Sequence, residues 1–185
     1  MNGTDPRDQL IVHLPALRGF ALSLTRNGSA ADDLVQETVM RAWSSFDRFT
    51  QGTNLRAWLF TILRNCFYSD LRKHRREVQD SDGVFAERLS QKPNHDSALA
   101  MRDFQRSFEQ LIDEHREALV LVGALGFSYE EAATTIGCAV GTVKSRVSRG
   151  RKRLVELLDL KEGDSIMPVD AIQIAVASHE TSLHG

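Results

Sequence analysis

Cysteine is scarce in this chain: Cys66 and Cys138 stand alone, with no CxxC or Cys/His cluster around either. A disulfide scaffold and a zinc ribbon are excluded, and two buried thiols in a reducing cytoplasm are expected. The six histidines, at 13, 74, 95, 115, 179 and 184, lack metal-ligand spacing. No apolar run approaches the roughly 18–20 residues that cross a bilayer. The opening "MNGTDPRDQL" lacks the basic-then-apolar order of a secretory signal. There is no GxxxxGK(S/T) phosphate loop and no Ser/His/Asp pattern above chance. Strict alternation of apolar and polar residues is also missing, so strands are not expected. These absences argue against an enzyme, a bound cofactor, a metal site, a small-molecule substrate and membrane insertion. A cytoplasmic location is expected.

What is present is charge in unusual places. The formal net charge is only -2, yet residues 139–153 carry six Lys/Arg and no acid. Residues 64–76, "RNCFYSDLRKHRR", carry five basic side chains against one acidic. Between the two islands, residues 77–138 hold twelve acids against five bases. Two compact cationic patches in an acidic chain suggest two separate contacts with a polyanion.

Apolar spacing is helical nearly throughout, which predicts an all-α protein of two small helical domains. A first helix is expected from about Arg7 to Thr25, stopped at Asn27-Gly28. A second is expected with Ser29 as its cap and Asp32 and Asp33 at its positive end. A third runs from about Leu55 to Glu77, burying Leu55, Trp58, Leu59 and Ile62. The stretch "QDSDGVFAERLSQKPNHDS" loses periodicity and reads as a flexible linker over 78–97. Helical spacing returns over Ala98–Ile112 and Glu114–Leu125. "SYEE" is a capping-box pattern, Ser128 with Glu131, opening a short helix to about Ile136. The expected domains are therefore 7–77 and 98–160, with a C-terminal tail, 161–185, of no assigned role.

"CAVGTVKSRVSRGRKRL" supplies the sharpest signal. On a helix, Val140, Val143, Val147, Leu154, Leu157 and Leu158 share one arc with Gly150, and the cations occupy the rest. A short helix, a tight turn ending near Gly141 and a basic amphipathic helix form a helix-turn-helix pattern. Thr142, Lys144, Ser145, Arg146 and Arg149 would then meet base edges or phosphates, and Arg151, Lys152 and Arg153 the backbone. A merely solvated cationic helix is disfavoured because the acids of i,i+4 pairing are missing. A membrane-surface helix is disfavoured because the stripe lacks aromatic anchors.

The other island is interleaved with Phe67 and Tyr68, a combination suited to stacked bases and a phosphate track. Trp58, Phe60 and Phe67 also fit a core at helical spacing, and for Trp58 and Phe60 the core is the better reading. The residues alone leave the loop Phe49–Asn54 undecided.

Taken in order, "DDLVQETVMRAW", "FDRFTQGTNLRAWLFTILRN", the linker and "FSYEEAATTIGCAVGTVKSRVSRGRKRL" resemble a bacterial extracytoplasmic-function (ECF) sigma factor of the sigma-70 family. The likeness covers about residues 8–158. "HLPALRGFALSLTRN", "GTNLRAWLFTILRN" and "LVGALGFSYEEAA" are similar to the EcfG-type subgroup, which directs the general stress response of alphaproteobacteria. The resemblance implies a sigma-2 domain whose second helix docks on the β′ clamp helices of RNA polymerase core. Asp33, Gln36, Glu37, Met40 and Arg41, opposite the Leu34/Thr38/Ala42 stripe, would present that face. Asp32 and Asp33 would satisfy the helix dipole without any partner. It further implies recognition and melting of the promoter −10 element by the Phe49–Asn54 loop and the following helix, through Asn54, Asn65, Arg72, Lys73, Arg75 and Arg76. A sigma-4 domain would read the −35 element and touch the β flap. A small anti-sigma factor would hold both domains.

Two readings from other classes compete. A sigma-like decoy that sequesters the anti-sigma factor would need no cationic reading helix and would carry a larger C-terminal domain. A conventional repressor would share the helix-turn-helix but needs a dimerisation element, and none is apparent.

Overall fold

The computed structural model describes residues 9–50, 52–80 and 99–159, with the backbone alone at 77–80 and 99–102. Every regular element among them is helical. The expected helix start at Arg7, most of the expected linker and the expected tail lie outside the described residues. The chain divides into two compact units, one up to Gln91 and one from Lys92.

In the first unit, α1 (Leu10–Thr25), α2 (Gly28–Ser44) and α3 (Leu55–Asp80) pack against one another, with a 3-10 turn at Phe46–Arg48 before α3. Apolar residues at three- and four-residue spacing give each helix one buried face. Leu17, Phe20, Ala21 and Leu24 of α1 meet Ala31, Leu34 and Ala42 of α2 and Leu59, Phe60, Leu63 and Cys66 of α3 in the core. The rings of Phe20 and Phe60 lie 5.3 Å apart. Thr38 is buried among them, its hydroxyl donating to the Leu34 carbonyl at 2.7 Å.

The junction between α1 and α2 is tighter than the spacing predicts. Arg26 takes a left-handed conformation, φ 56, and its N–H closes α1 on Leu22. Asn27, not Ser29, caps α2: it is extended, and its side-chain oxygen accepts from the Ala30 N–H at 3.0 Å. An extended backbone at the cap is what lets a short side chain reach the free N–H groups. Asp32 consequently lies beyond the first turn, where it pairs with Arg18 of α1 at 2.7 Å. In α3, Leu55 and Leu59 are buried as expected, whereas Trp58 and Ile62 are only half-buried.

The second unit contains α4 (Leu99–Glu109), α5 (Asp113–Leu119), α6 (Tyr129–Ile136) and α7 (Val140–Leu157). A π turn at Val120–Ala124 continues α5. It is closed by the Leu125 N–H on the Val120 carbonyl at 2.9 Å. Gly126 at φ 67 then reverses the chain, and Phe127 is buried behind it. Arg116 and Glu117 are fully buried in α5. The Arg116 guanidinium donates to the Leu111 carbonyl and to Asp113, so it ties the α4–α5 connection to the core.

The expected capping box is formed. Ser128 Oγ accepts from the Glu131 N–H at 3.0 Å, and Glu131 accepts from the Ser128 N–H at 2.8 Å. Gly137, at φ 77, ends α6. The turn ends at Ala139, so Gly141 lies inside α7 rather than before it. Of the expected stripe, Val143, Val147, Gly150 and Leu154 are buried, while Val140, Leu157 and Leu158 are half-buried. Cys66 is buried and Cys138 only half-buried, since it sits in the turn.

At Gly150, α7 lies close against α5. A Cβ there would lie 2.7 Å from Leu119 Cδ1 and 3.3 Å from His115 Cβ. Leu119 is itself fully buried and has little room to retreat. Gly150→Ala is therefore expected to destabilise the second unit by about 1–3 kcal/mol through overpacking. Urea unfolding followed by circular dichroism checks this, and an unchanged midpoint would contradict it.

Candidate functional site

Three polar helix faces collect the residues singled out from the sequence. The first is the surface of α7. Its buried seam is narrow, so most of its circumference is free for other contacts. Lys144, Arg149, Arg151, Lys152 and Arg153 are exposed, and Thr142, Ser145 and Arg146 are half-buried. By the 3.6-residue period, Thr142, Ser145, Arg146, Arg149, Lys152 and Arg153 lie to one side of the seam. Lys144 and Arg151 lie to the other. Lys144 reaches α6, with its Nζ 5.6 Å from the Tyr129 ring centre. Arg153 pairs with Glu156 at 3.1 Å. Among the described residues, no carboxylate forms an ion pair with Lys144, Arg146, Arg149, Arg151 or Lys152. Those five cations make a concentrated positive field with no carboxylate partner among the described residues, which a polyanion can fill.

His115 of α5 borders this face. Burial holds its imidazole below the ordinary histidine range, and Arg149 and, more weakly, Arg146 push the same way against Glu114.

The second face belongs to α3 and the loop before it. Asn65, Arg72, Lys73, Arg75 and Arg76 are all exposed, and Asn65, Arg72 and Arg76 share one side of the helix. Arg64 differs: its guanidinium lies over the Tyr68 ring, 4.6 Å from the centre. The His74 Nδ1–H donates to the Asp70 carbonyl at 2.9 Å.

The preceding loop is a built turn. The Thr53 N–H and hydroxyl both donate to the Thr50 carbonyl, at 3.1 and 2.6 Å. Gly52 takes φ 87, which a side chain would strain. Phe46, Phe49 and Trp58 form a triangle of rings around the loop's base, with centres 5.1 to 5.8 Å apart. The half-burial of Trp58 follows from this cluster, and Phe49 belongs to it. The sequence reading missed the triangle, although aromatics at 46 and 49, one turn apart, were a signal for it. Asn54 has a structural task, since its side-chain oxygen accepts from the Ala57 N–H at 3.0 Å at the start of α3.

The third face is on α2. Asp33, Gln36, Glu37, Met40 and Arg41 line an open concavity of about 480 Å³ together with Ser44. Arg41 pairs with Glu37 one turn away. Met40 is 66% exposed and the neighbouring Trp43 55% exposed, which is unusual for large apolar side chains. Ser44 and Trp43 continue this face beyond the residues chosen from the sequence, and extending the same 3.6-residue arc by one turn would have found them. Behind the helix, burial pushes the Cys66 thiol up, with Arg41 acting in the opposite direction.

Elsewhere, burial holds the His13 imidazole down, assisted by Arg56. Among the described residues, no group of three His, Cys, Asp or Glu could hold a metal ion. Among the same residues, no helix is long and apolar enough to cross a membrane.

Comparison with known proteins covers both units. Residues 11–77 match the family model for sigma-70 region 2, and residues 101–154 match that for sigma-70 region 4. The ECF RNA polymerase sigma factor EcfG of Rhodopseudomonas palustris (strain TIE-1) is 49% identical over 173 residues, covering 94% of this chain and 96% of that protein. RNA polymerase sigma factor CarQ of Myxococcus xanthus is 35% identical, covering 79% and 84%. Among solved structures, the sigma factor RpoE in complex with the anti-sigma factor NepR from Bartonella quintana superposes with a TM-score of 0.77. It is 54% identical, covering 85% of this chain and 99% of that one.

The cap at Asn54 makes a separable prediction. Asn54→Ala is expected to cost about 0.5–2 kcal/mol of stability, whereas Asn54→Ser, which can still cap, stays near wild type. Thermal unfolding of both variants tests this. Equal losses would remove the capping role.

Proposed function

Because the chain belongs to the sigma-70 family of RNA polymerase sigma factors, in its extracytoplasmic-function branch, we propose that its two cationic helices grip one promoter at two places. The chain is an alternative sigma factor that binds core polymerase, directs promoter-specific initiation of general stress response genes and answers to a small anti-sigma factor. The observation that carries this reading is the pair of basic helix faces, one in each unit, whose main cations lack carboxylate partners among the described residues.

The domains divide the work as 7–77 for polymerase docking and the −10 element, 78–97 as linker, and 98–160 for the −35 element. In the −35 contact, α7 enters the major groove by its N-terminal half. Arg146 and Arg149 then reach guanine edges, and Lys152 and Arg153 hold phosphates. In the −10 contact, Arg72, Lys73, Arg75 and Arg76 follow the backbone while Asn65 and the loop meet bases. Capturing an unstacked base favours the open strand, and the cost of a few kcal/mol for unstacking is met by that capture. The triangle of Phe46, Phe49 and Trp58 gives the loop a stiff base, so little ordering is left to do on binding.

The α2 face docks on the β′ clamp helices through Asp33, Gln36, Glu37, Met40 and Arg41, and the second unit touches the β flap. The chain is not an enzyme: polymerase supplies the metals and the nucleotidyl transfer, and the chain holds no cofactor or small-molecule substrate. Its place of action is the cytoplasm, with the polymerase. The decoy reading is disfavoured because a decoy has no use for two cationic helix faces.

Run-off transcription with purified core polymerase on a stress promoter should show initiation that depends on this chain. A folded sample that fails to stimulate initiation would move the assignment to the decoy. Met40→Ala and Trp43→Ala should each weaken binding to core polymerase without affecting duplex binding by the free chain. A pull-down unaffected by either change would displace the α2 face from docking. For the −35 contact, Lys152→Ala should weaken binding to all sequences alike, whereas Arg146→Ala should also relax sequence preference. Equal losses on every duplex from both variants would contradict base reading by Arg146.

A further inference from the structure

We propose that His115, on a helix outside the helix-turn-helix, is a further contact to the DNA backbone beside the −35 element and takes up a proton when the duplex docks. The inference rests on the assignment of α7 to duplex DNA.

Its position follows from Gly150. With no side chain at 150, α5 lies close enough to α7 that a Cβ there would be 3.3 Å from His115 Cβ. His115 is therefore seated against α7 within electrostatic reach of Arg149 and, more weakly, Arg146, and it is half-buried, so part of it remains accessible. The acids that could compensate are few. Asp113 is bound to Arg116. Glu114 is the acid that acts on His115, and from α7 the charges facing it are those of Arg149 and Arg146. Neither arginine is paired with a carboxylate among the described residues. The imidazole and the two guanidinium groups thus border one surface, where the described acid acting on the ring is Glu114.

In the free protein, burial and the two guanidinium groups keep the imidazole neutral at pH 7. A phosphate backbone laid along Arg146 and Arg149 reverses the local field. It offsets both cations and adds a negative charge beside the ring, which favours the imidazolium. The histidine pKa is then higher bound than free, so binding is coupled to proton uptake. The sign is fixed by that order: affinity is greatest below the free pKa, falls as pH rises between the two values, and is level above the bound one. Each pKa unit added by docking corresponds to up to about tenfold in affinity.

The test uses the full chain and a labelled duplex carrying a −35 element but no −10 element, which leaves His74 unengaged. Fluorescence anisotropy is read from pH 5.5 to 8.0 at fixed ionic strength. Wild type should bind more tightly at pH 6 than at pH 8. Its salt slope should also be steeper at pH 6, by about 0.9 for one additional phosphate contact. His115→Gln should lose both differences. His115→Lys, permanently charged, should bind with the acid-limit affinity at every pH. A His115→Gln variant that keeps the wild-type pH dependence overturns the proposal. Arg149→Ala separates the two levels. If it weakens binding while His115→Gln titrates like wild type, only the histidine assignment fails. If neither change affects the duplex, the −35 assignment of α7 fails with it.

Discussion

The packing of Val143, Val147, Gly150 and Leu154 against the rest of the second unit is the contact on which its function depends. Six cations on one helix oppose one another, and like charges one turn apart, such as Arg149 and Arg153, cost a few tenths of a kcal/mol per pair. Each large aliphatic side chain buried in the seam contributes roughly 1.5–3 kcal/mol. The seam therefore outweighs the repulsion with only a few residues. Because it is narrow, most of the helix surface needs no internal partner, and the cations remain available to an external polyanion. Gly150 is part of this solution: the helix approaches α5 more closely than any side chain there would permit.

The first unit solves the same problem with different means. Its cations sit on the second half of α3, beyond the turns that build the core with Leu59, Phe60 and Leu63. The loop before α3 is stiffened locally, by the Thr50–Thr53 turn, the Asn54 cap and the three-ring cluster. A site that captures a single unstacked base benefits from such stiffness, since the entropy of ordering it is not charged to binding. The proposed groove contact of α7 instead needs a broad cationic surface, which a regular helix provides without special loop chemistry.

Periodicity made the helices legible, together with the buried seam of α7 and the capping box at Ser128 and Glu131. The charge count made both cationic faces legible, because runs of Lys and Arg with one acid or none have few structural uses. The misread features depend on contacts between residues distant in sequence or on backbone conformation. Asn27 and Ser29 are both good caps by type, and only the left-handed Arg26 decides between them. Trp58 fits a core stripe by spacing, but Phe46 and Phe49 hold it at the surface of the loop. Arg116 and Glu117 are charged by type, and a pattern based on polarity places them outside, yet the folded α5 buries both. His115 had no visible role because its neighbours Arg146, Arg149 and Gly150 lie more than thirty positions away.

The near-neutral total charge is consistent with the proposed division of the grip between two units. Binding to duplex through many phosphates is strong on any sequence, since released counterions reward each contact regardless of the bases. A chain with all its cations on one surface would be held along the genome and lose selectivity. Here five basic residues lie in one island and six in the other, within a chain of net charge -2. On the proposed assignment each island alone would make few phosphate contacts and so bind weakly. When both units are fixed on one polymerase, engagement of one element raises the effective concentration of the other site, and the two weak grips combine. Selectivity then requires the right sequence at both places and a partner that sets their spacing.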